Sequence, residues 1–423
     1  MFWIYSILAH LAFVLLLPLL MLHPKLKEGF GFRLGRLPSA WPELPEDKIR
    51  IWLHGASAGD LLALQPLILS LRETLTDCSI VVTTMTSSGM ALARKGMPGV
   101  DAVGWVPYDL PWVVARFVRA IRPSVLVLEY AEVWPALLRR VKASGARIVL
   151  SNGRFHDEKL GRYRKLYRLI GNPLEHIDCL CMRSPAEAEH ALAIGARRSR
   201  LRITGDTKFD RCRIDSKACP ETIKELSKAI GEGPWWVAGS THAGEESQLL
   251  DVFRKLREDQ PSLRLLLVPR YPERAGRVLD LARAAGFSCG LRSQGAPDVP
   301  VVVLDTVGEL ALAYALATVV FVGGSLVTRG GQNILEPATQ AKPVFFGPHM
   351  ENFVESVRVL QGRGGIQVTD VQRLQSSMAA LLSRPEELEK LGRMAKDAVL
   401  AAQGASRSNA LIIAALARGE SLP

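Results

Sequence analysis

The sequence predicts an α/β chain of two doubly wound, Rossmann-like domains behind an N-terminal membrane helix. Three observations carry that expectation. The amino end is an uncharged apolar stretch, β-rich runs then alternate with helix-period segments, and the alternation breaks once near residue 211 before it restarts. A chain of 423 residues also exceeds one ordinary core, so two domains follow from length. With 48% hydrophobic and 22% charged residues it has the composition of a folded protein.

The first element is "MFWIYSILAHLAFVLLLPLLML", residues 1–22, which carries no formal charge. As a helix it is about 33 Å long, the thickness of a bilayer core. No basic segment precedes it and no small-residue cleavage site follows, so it reads as an anchor that is kept. Lys25, Lys27, Arg33 and Arg36 come next and place the rest of the chain on the cytoplasmic side by the positive-inside rule. His10 and Pro18 leave open a helix that enters one leaflet only. The formal charge is +11, and residues 139–217 hold 19 Lys/Arg against 9 Asp/Glu. Clusters such as "GRYRKLYR" suit nucleic acid, anionic lipid or a phosphorylated substrate. Beside a membrane anchor they favour lipid headgroups, and no nucleic-acid partner is expected. The six cysteines lack zinc spacing, Cys179 and Cys181 being too close, so no metal is expected and free thiols are the reading.

The alternation begins with "IRIWLHGAS" and its helix "DLLALQPLILSLRETL". "SIVVTTMT", "SVLVLEY", "RIVLSN", "CLCMRS" and "RITGDT" continue it. Continuous apolar strands separated by helices mean a parallel sheet covered on both faces. This is the N-terminal domain, 23–210. Residues 211–234 are polar, without strand character, and read as a linker. From 235 to 423 the strands "WWVAGST", "LRLLLVPR", "VPVVVLDT", "TVVFVGGS", "KPVFFG" and "IQVTD" form a second domain, which the helical last fifty residues complete. Glycosyltransferases of the B type and other two-domain Rossmann enzymes share this pattern, with ligands expected in a deep cleft at the carboxyl ends of both sheets.

The densest signal is "FVGGSLVTRGGQNILEPA", residues 321–338. Gly323, Gly324, Ser325, Gly330 and Gly331 lead to Asn333 and Glu336 at a helix start. So many glycines beside a strand end expose backbone N–H groups, which suits a phosphate or carboxylate, while Glu336 suits ribose hydroxyls. Packing against a neighbouring segment is the other reading. The spacing is neither that of a dinucleotide fingerprint nor of a P-loop.

The stretch "DTVGELALAYALATVVFVGGSLVTRGGQNILEPATQAKPVFFGPHMENF" closely resembles the donor domain of the bacterial 3-deoxy-manno-octulosonic acid (Kdo) transferases. "IWLHGASAGD", "VTTMTSSG", "VPYDLP", "EVWP", "SNGRF", "TGDTKFD", "GSTHAGEE" and "PRYPER" follow in that family's order. The resemblance implies a membrane-associated B-type enzyme without cofactor or metal, moving Kdo from CMP-Kdo to the lipid A precursor in lipopolysaccharide biosynthesis. It implies donor contacts at Thr241, His242, Arg270, Glu309, Gly324, Ser325, Gly330, Gly331, Asn333 and Glu336. On the acceptor side it implies Arg33, Ser57 and Gly59.

The pattern breaks in the amino-terminal half. The family's base is a Glu in a W-G-E-R-x-G-like motif, and here "FGFRLG" puts Phe32 in its place. A phenyl ring takes no proton, and general-base catalysis typically contributes 10²–10⁴-fold. The HxxSxGE loop ends in Asp60, and Glu129 stands one place early in "EYAEVWP". Asp60 is the first candidate for a relocated base, with an N-cap as its other reading. Glu132 is the second. Three functions stay open: transfer of Kdo or a related acid from a CMP-sugar to a lipid, a non-catalytic relative that binds donor or lipid, and a B-type transferase using UDP-sugars.

Overall fold

The computed structural model describes residues 2–23, 27–39, 41–45, 47–215, 220–296 and 298–422, without the side chains of 212–215. Lys25, Lys217 and Cys219, and the side chain of Cys212, lie outside the described residues. Two compact units divide the chain: Met1–Arg211 with Gln403–Pro423, and Cys212–Ala402.

The first unit opens with α1 (Phe2–Leu22) and the short α2 (Phe30–Arg33). A βα alternation follows: β1 (Ile49–His54), α3 (Ala58–Thr74), β2 (Cys78–Thr84), α4 (Ser87–Arg94), β3 (Ala102–Trp105), α5 (Pro111–Ile121), β4 (Val125–Glu129) and α6 (Pro135–Ala143). β5 (Arg147–Gly153), α7 (Leu160–Ile170), β6 (Cys179–Met182), α8 (Pro185–Ala193), β7 (Leu201–Ile203) and α9 (Lys208–Asp215) complete it. The sheet is parallel in the order β3-β2-β1-β4-β5-β6-β7. Strand side chains alternate between two cores. Trp52, Leu126, Leu128, Ile148 and Leu150 meet α5, α6 and α7, whereas Ile51, Leu53, Val125, Val127 and Val149 meet α3. Both faces are dry, which is why these strands read as unbroken apolar runs.

The second unit repeats the plan: α10 (Pro220–Ile230), β8 (Trp235–Thr241), α11 (Glu246–Asp259), β9 (Arg264–Pro269), α12 (Ala275–Ala284), β10 (Cys289–Leu291), β11 (Val301–Val303) and α13 (Leu310–Leu316). β12 (Ala317–Val322), α14 (Leu335–Thr339), β13 (Val344–Phe346), α15 (Val354–Leu360), β14 (Gly365–Gln367), α16 (Val371–Leu382) and α17 (Pro385–Ala401) finish it. Its parallel order is β10-β11-β9-β8-β12-β13-β14. In each sheet the winding reverses beside the first strand, between β1 and β4 and between β8 and β12. In open α/β sheets such reversal points are where ligands bind.

Three expectations need correction. The polar 211–234 segment is not a plain linker, because it holds α10, whose Leu226 and Ile230 are buried. The last helix, α18 (Ala405–Arg418), does not belong to the second domain. Its Ala410, Ile412, Ile413 and Ala414 enter the α3 core, and Asn409 Nδ2 donates to Ser151 Oγ at 3.1 Å. β3 and β10 were not anticipated, being short and each containing a glycine.

Candidate functional site

At the reversal point of the first sheet, His54 ends β1 and is fully buried. Its Nδ1 lies 3.0 Å from the carbonyl oxygen of Thr83, which can only accept, so the proton sits on Nδ1 and Nε2 keeps a lone pair. Among the described residues Nε2 has no hydrogen-bond partner. Burial pushes the imidazole down to about 4 against the Thr83 hydrogen bond, so the ring is neutral at physiological pH.

Glu132 comes back over the neighbouring strand end. Tyr130 turns the chain there at φ 59°, a left-handed conformation rare for a non-glycine residue. Glu132 Oε2 accepts from Trp134 Nε1 at 2.9 Å and lies 3.9 Å from His54 Nε2. Burial raises the carboxyl above its usual range. The Trp134 hydrogen bond opposes that rise, and the charge of Asp60 adds to it. A partly exposed carboxylate with a raised pKa, facing a neutral imidazole, has the character of a general base.

The other expected residues of this half have structural partners. Asp60 is the third residue of a capping box: its carboxylate accepts from Ser57 N–H at 2.8 Å, and Ser57 Oγ accepts from Asp60 N–H. Gly59 packs on nothing closer than Ser57 Oγ, 3.6 Å from where a Cβ would stand. Arg33 is 8% exposed, donates from Nε to Val106 O at 3.3 Å and lies 4.3 Å over the Tyr108 ring. Phe32 sits edge-on to Trp41 and Phe117, at 4.8 and 5.7 Å between centroids. A Cβ on Gly104 would stand 2.8 Å from the Phe32 ring, so that ring fills space glycine leaves open. Glu129 is fully buried and accepts from Asn152 Nδ2 at 3.1 Å; burial drives its carboxyl well above the usual range.

In the second unit the glycine loop follows β12 beside the end of β8. The amides of its first turn are not bare, unlike the expectation that they wait for a ligand. The fully buried Glu245 accepts from the N–H groups of Gly324 (2.7 Å), Ser325 and Leu326 (3.0 Å each), and His242 (2.9 Å). The glycines permit this close approach. A Cβ on Gly323 would come within 2.6 Å of Ser240 O, and one on Gly330 within 2.2 Å of Asn352 Nδ2. Ser325 Oγ accepts from Gly347 N–H at 2.9 Å and ties the loop to β13. Gly331 N–H donates to Gly324 O.

Beside the loop lies a set of side chains, some buried and some exposed. Arg270 is exposed and forms no ion pair among the described residues. Its backbone N–H donates to Thr241 O at 3.0 Å, which sets it next to the end of β8. The Thr241 hydroxyl is buried and unpartnered among the described residues. His242 stands edge-on to Tyr271 with Gln332 Nε2 3.4 Å from its Nε2. Asn333 Nδ2 donates to Glu336 Oε1 at 2.9 Å, orienting that carboxylate. Glu309 differs from expectation, since it accepts from Arg292 at 2.7 Å and from the Thr306 hydroxyl. Among the described residues no group of His, Cys, Asp or Glu is arranged to hold a metal. Sequence reading missed Glu245 and His54, although both stood inside quoted motifs, "GSTHAGEE" and "IWLHGASAGD".

A family profile described as "3-Deoxy-D-manno-octulosonic-acid transferase (kdotransferase)" matches residues 28–211. The 3-deoxy-D-manno-octulosonic acid transferase of Haemophilus influenzae is 31% identical over 361 residues, covering 84% of each chain. That of Bordetella pertussis is 28% identical over 373 residues, covering 84% of this chain and 85% of the relative. Among solved structures, a glycosyltransferase from Rickettsia africae has a TM-score of 0.58 at 13% identity. It covers 89% of this chain and 100% of that one, a likeness of fold alone.

Proposed function

Because this chain belongs to the 3-deoxy-D-manno-octulosonic acid transferase family, we propose that it moves Kdo, or a closely related acidic sugar, from its CMP derivative to a hydroxyl of a lipid A-type acceptor. The cytoplasmic face of the inner membrane is the proposed place. The observation that carries the mechanism is the placement of Glu132. Of the two acids expected as replacement bases, Asp60 is held in a helix cap, while Glu132 has a raised pKa and faces an unpartnered imidazole nitrogen.

In this reading Glu132 takes the proton of the acceptor hydroxyl as that oxygen bonds to the anomeric carbon of the sugar. The bond from that carbon to the phosphate oxygen breaks, and CMP leaves with the electron pair. His54, neutral at working pH, leaves no positive charge beside the Glu132 carboxylate that would depress its basicity. On the donor side the exposed guanidinium of Arg270 is matched to phosphate or sugar carboxylate, and Glu336, oriented by Asn333, to ribose hydroxyls. Glu245 has a different role: it fixes the glycine loop that leads to Asn333 and Glu336.

Membranes containing the protein, given CMP-Kdo and a lipid A precursor, are expected to release CMP in step with a new sugar–lipid product. CMP is expected to raise the melting temperature more than UDP does. Stabilisation by UDP alone would contradict the donor assignment. The substitution at position 32 favours a second reading, a relative that binds donor without transfer, whose signature is stabilisation by CMP with no turnover.

A further inference from the structure

Strand β4 ends on a strained residue whose side chain the mechanism does not use. Tyr130 holds φ 59°, and a left-handed conformation at a bulky residue persists only where its surroundings over-determine it. Two backbone hydrogen bonds do so here: Tyr130 N–H donates to Ser151 O at 3.0 Å, and Glu132 N–H donates back to Glu129 O at 3.4 Å. The turn sets the phenol two residues ahead of Glu132. Burial raises the phenol pKa, the carboxylates of Glu129, Asp206 and Asp60 add to the rise, and Arg183 opposes it. Asp60, Arg183 and Asp206 follow the carboxyl ends of β1, β6 and β7, so Tyr130 stands on the rim of the sheet that also carries Glu132.

The charged groups around this phenol are already engaged. Asp60 closes the α3 capping box, and Asp206 accepts from Lys208 N–H at 2.9 Å and lies 3.8 Å from the Arg183 guanidinium. Arg183 also donates to Glu187 at 3.1 Å. The phenol differs: among the described residues its hydroxyl has no hydrogen-bond partner, and it is not sealed from solvent as the Tyr108 hydroxyl is. Tyr163 of α7 shows the same pattern. Its ring packs edge-on to Phe155 at 5.9 Å, its hydroxyl is unpartnered among the described residues, and burial and then the charge of Glu132 raise its pKa. A neutral phenol donates, accepts and offers a flat apolar face, which matches a sugar ring with its hydroxyls and C–H groups. Among charges that are already paired, it suits such a ring better than it suits a phosphate.

We propose that Tyr130 is a specificity-determining residue for the acceptor. Its phenol hydrogen-bonds a hydroxyl or ring oxygen of the acceptor sugar beside the hydroxyl that Glu132 deprotonates, and Tyr163 gives a second contact of the same kind. A site built to pair a substrate hydroxyl discriminates strongly against ligands that lack it. The inference names how the acceptor is read and rests on the transfer proposed above.

Neither hydroxyl bonds to a described protein group, so Tyr130→Phe and Tyr163→Phe are expected to leave the denaturation midpoint of the first unit as in the parent. In assays of the full chain with CMP-Kdo and a detergent-dispersed lipid A precursor, each is expected to raise KM for the acceptor about three- to tenfold, the worth of one hydrogen bond. The kcat and the KM for CMP-Kdo are expected to stay within about twofold. An unchanged acceptor KM in both variants, or a rise in KM that comes with a lowered midpoint, would overturn the subsite. Equilibrium binding of radiolabelled lipid A precursor without donor separates this inference from the reading beneath it. If the parent binds the acceptor and transfers nothing, the transferase reading falls, while binding weakened by the same factor in the variants upholds the subsite. Transfer with equal acceptor binding in all three proteins removes the subsite and leaves the transferase reading standing. A parent that binds no acceptor overturns both.

Discussion

At position 32 a phenyl ring stands where the family resemblance implies a carboxylate, and its neighbours explain why a simple reversion is not expected to restore one. Phe32 is packed edge-on between Trp41 and Phe117, above a glycine that makes room for it. Phe32→Glu is expected to lower stability by about 1–3 kcal/mol through lost aromatic contact and to leave turnover unimproved. A rise in turnover would show that position 32 still faces the acceptor. Trp134 tests the base from the other side. Its N–H stabilises ionised Glu132, so Trp134→Phe removes the influence that holds that pKa down. A base must be deprotonated to act, so activity is lost as pH falls through the Glu132 pKa. The acid limb of the pH–rate profile is therefore expected to move to higher pH in the variant. At this scale the sequence showed residue types but not partners. It ranked Asp60 before Glu132, and the Ser57 capping box together with the raised Glu132 pKa reverses that order.

Among elements, the glycine loop shows what a motif can and cannot say. The glycine density was legible, and so was the close approach of backbone to something. The carboxylate that the backbone approaches comes from Glu245, 79 residues before Gly324, a pairing no local pattern reveals. Glu245→Ala would leave four N–H groups without an acceptor, and a buried unsatisfied group costs about 1–3 kcal/mol. A loss of at least about 3 kcal/mol in the second unit is expected by chemical denaturation, together with loss of CMP stabilisation. A variant as stable as the parent would refute this account of the loop. Long strands such as β1 and β8 were readable because burial on both faces makes them continuously apolar. β3 and β10 were not, because three or four residues around a glycine carry no period. α10 was read as linker because its apolar side is reduced to two buried residues.

For the whole molecule, the two-unit α/β plan was legible, and the return of the chain to its first unit was not. α18 reads as one more amphipathic helix, and nothing in its own sequence says which core it fills. Truncation after Ala402 removes Ile412, Ile413 and Asn409 from the first unit, so that unit is expected to unfold at lower denaturant while the second is unchanged. Two buried groups contribute opposite pH dependences to the same unit. His54 titrates near 4 when folded against 6.5 ordinarily, so the unfolded chain binds the proton first and stability falls as pH drops from about 6.5 to about 4. Glu129 acts oppositely. Its folded pKa lies well above the ordinary 4.5, so the unfolded chain loses the proton first and stability falls as pH rises. Glu129→Gln is expected to flatten that alkaline slope in denaturation curves between pH 5 and 8. The most direct measurement of the central claim is the single-turnover rate of sugar transfer from CMP-Kdo to a lipid A precursor by the Glu132→Gln protein. A fall of 10²–10⁴-fold, with CMP still raising the melting temperature as in the parent, is the predicted result. A rate within a few fold of the parent would contradict the assignment of Glu132 as the base.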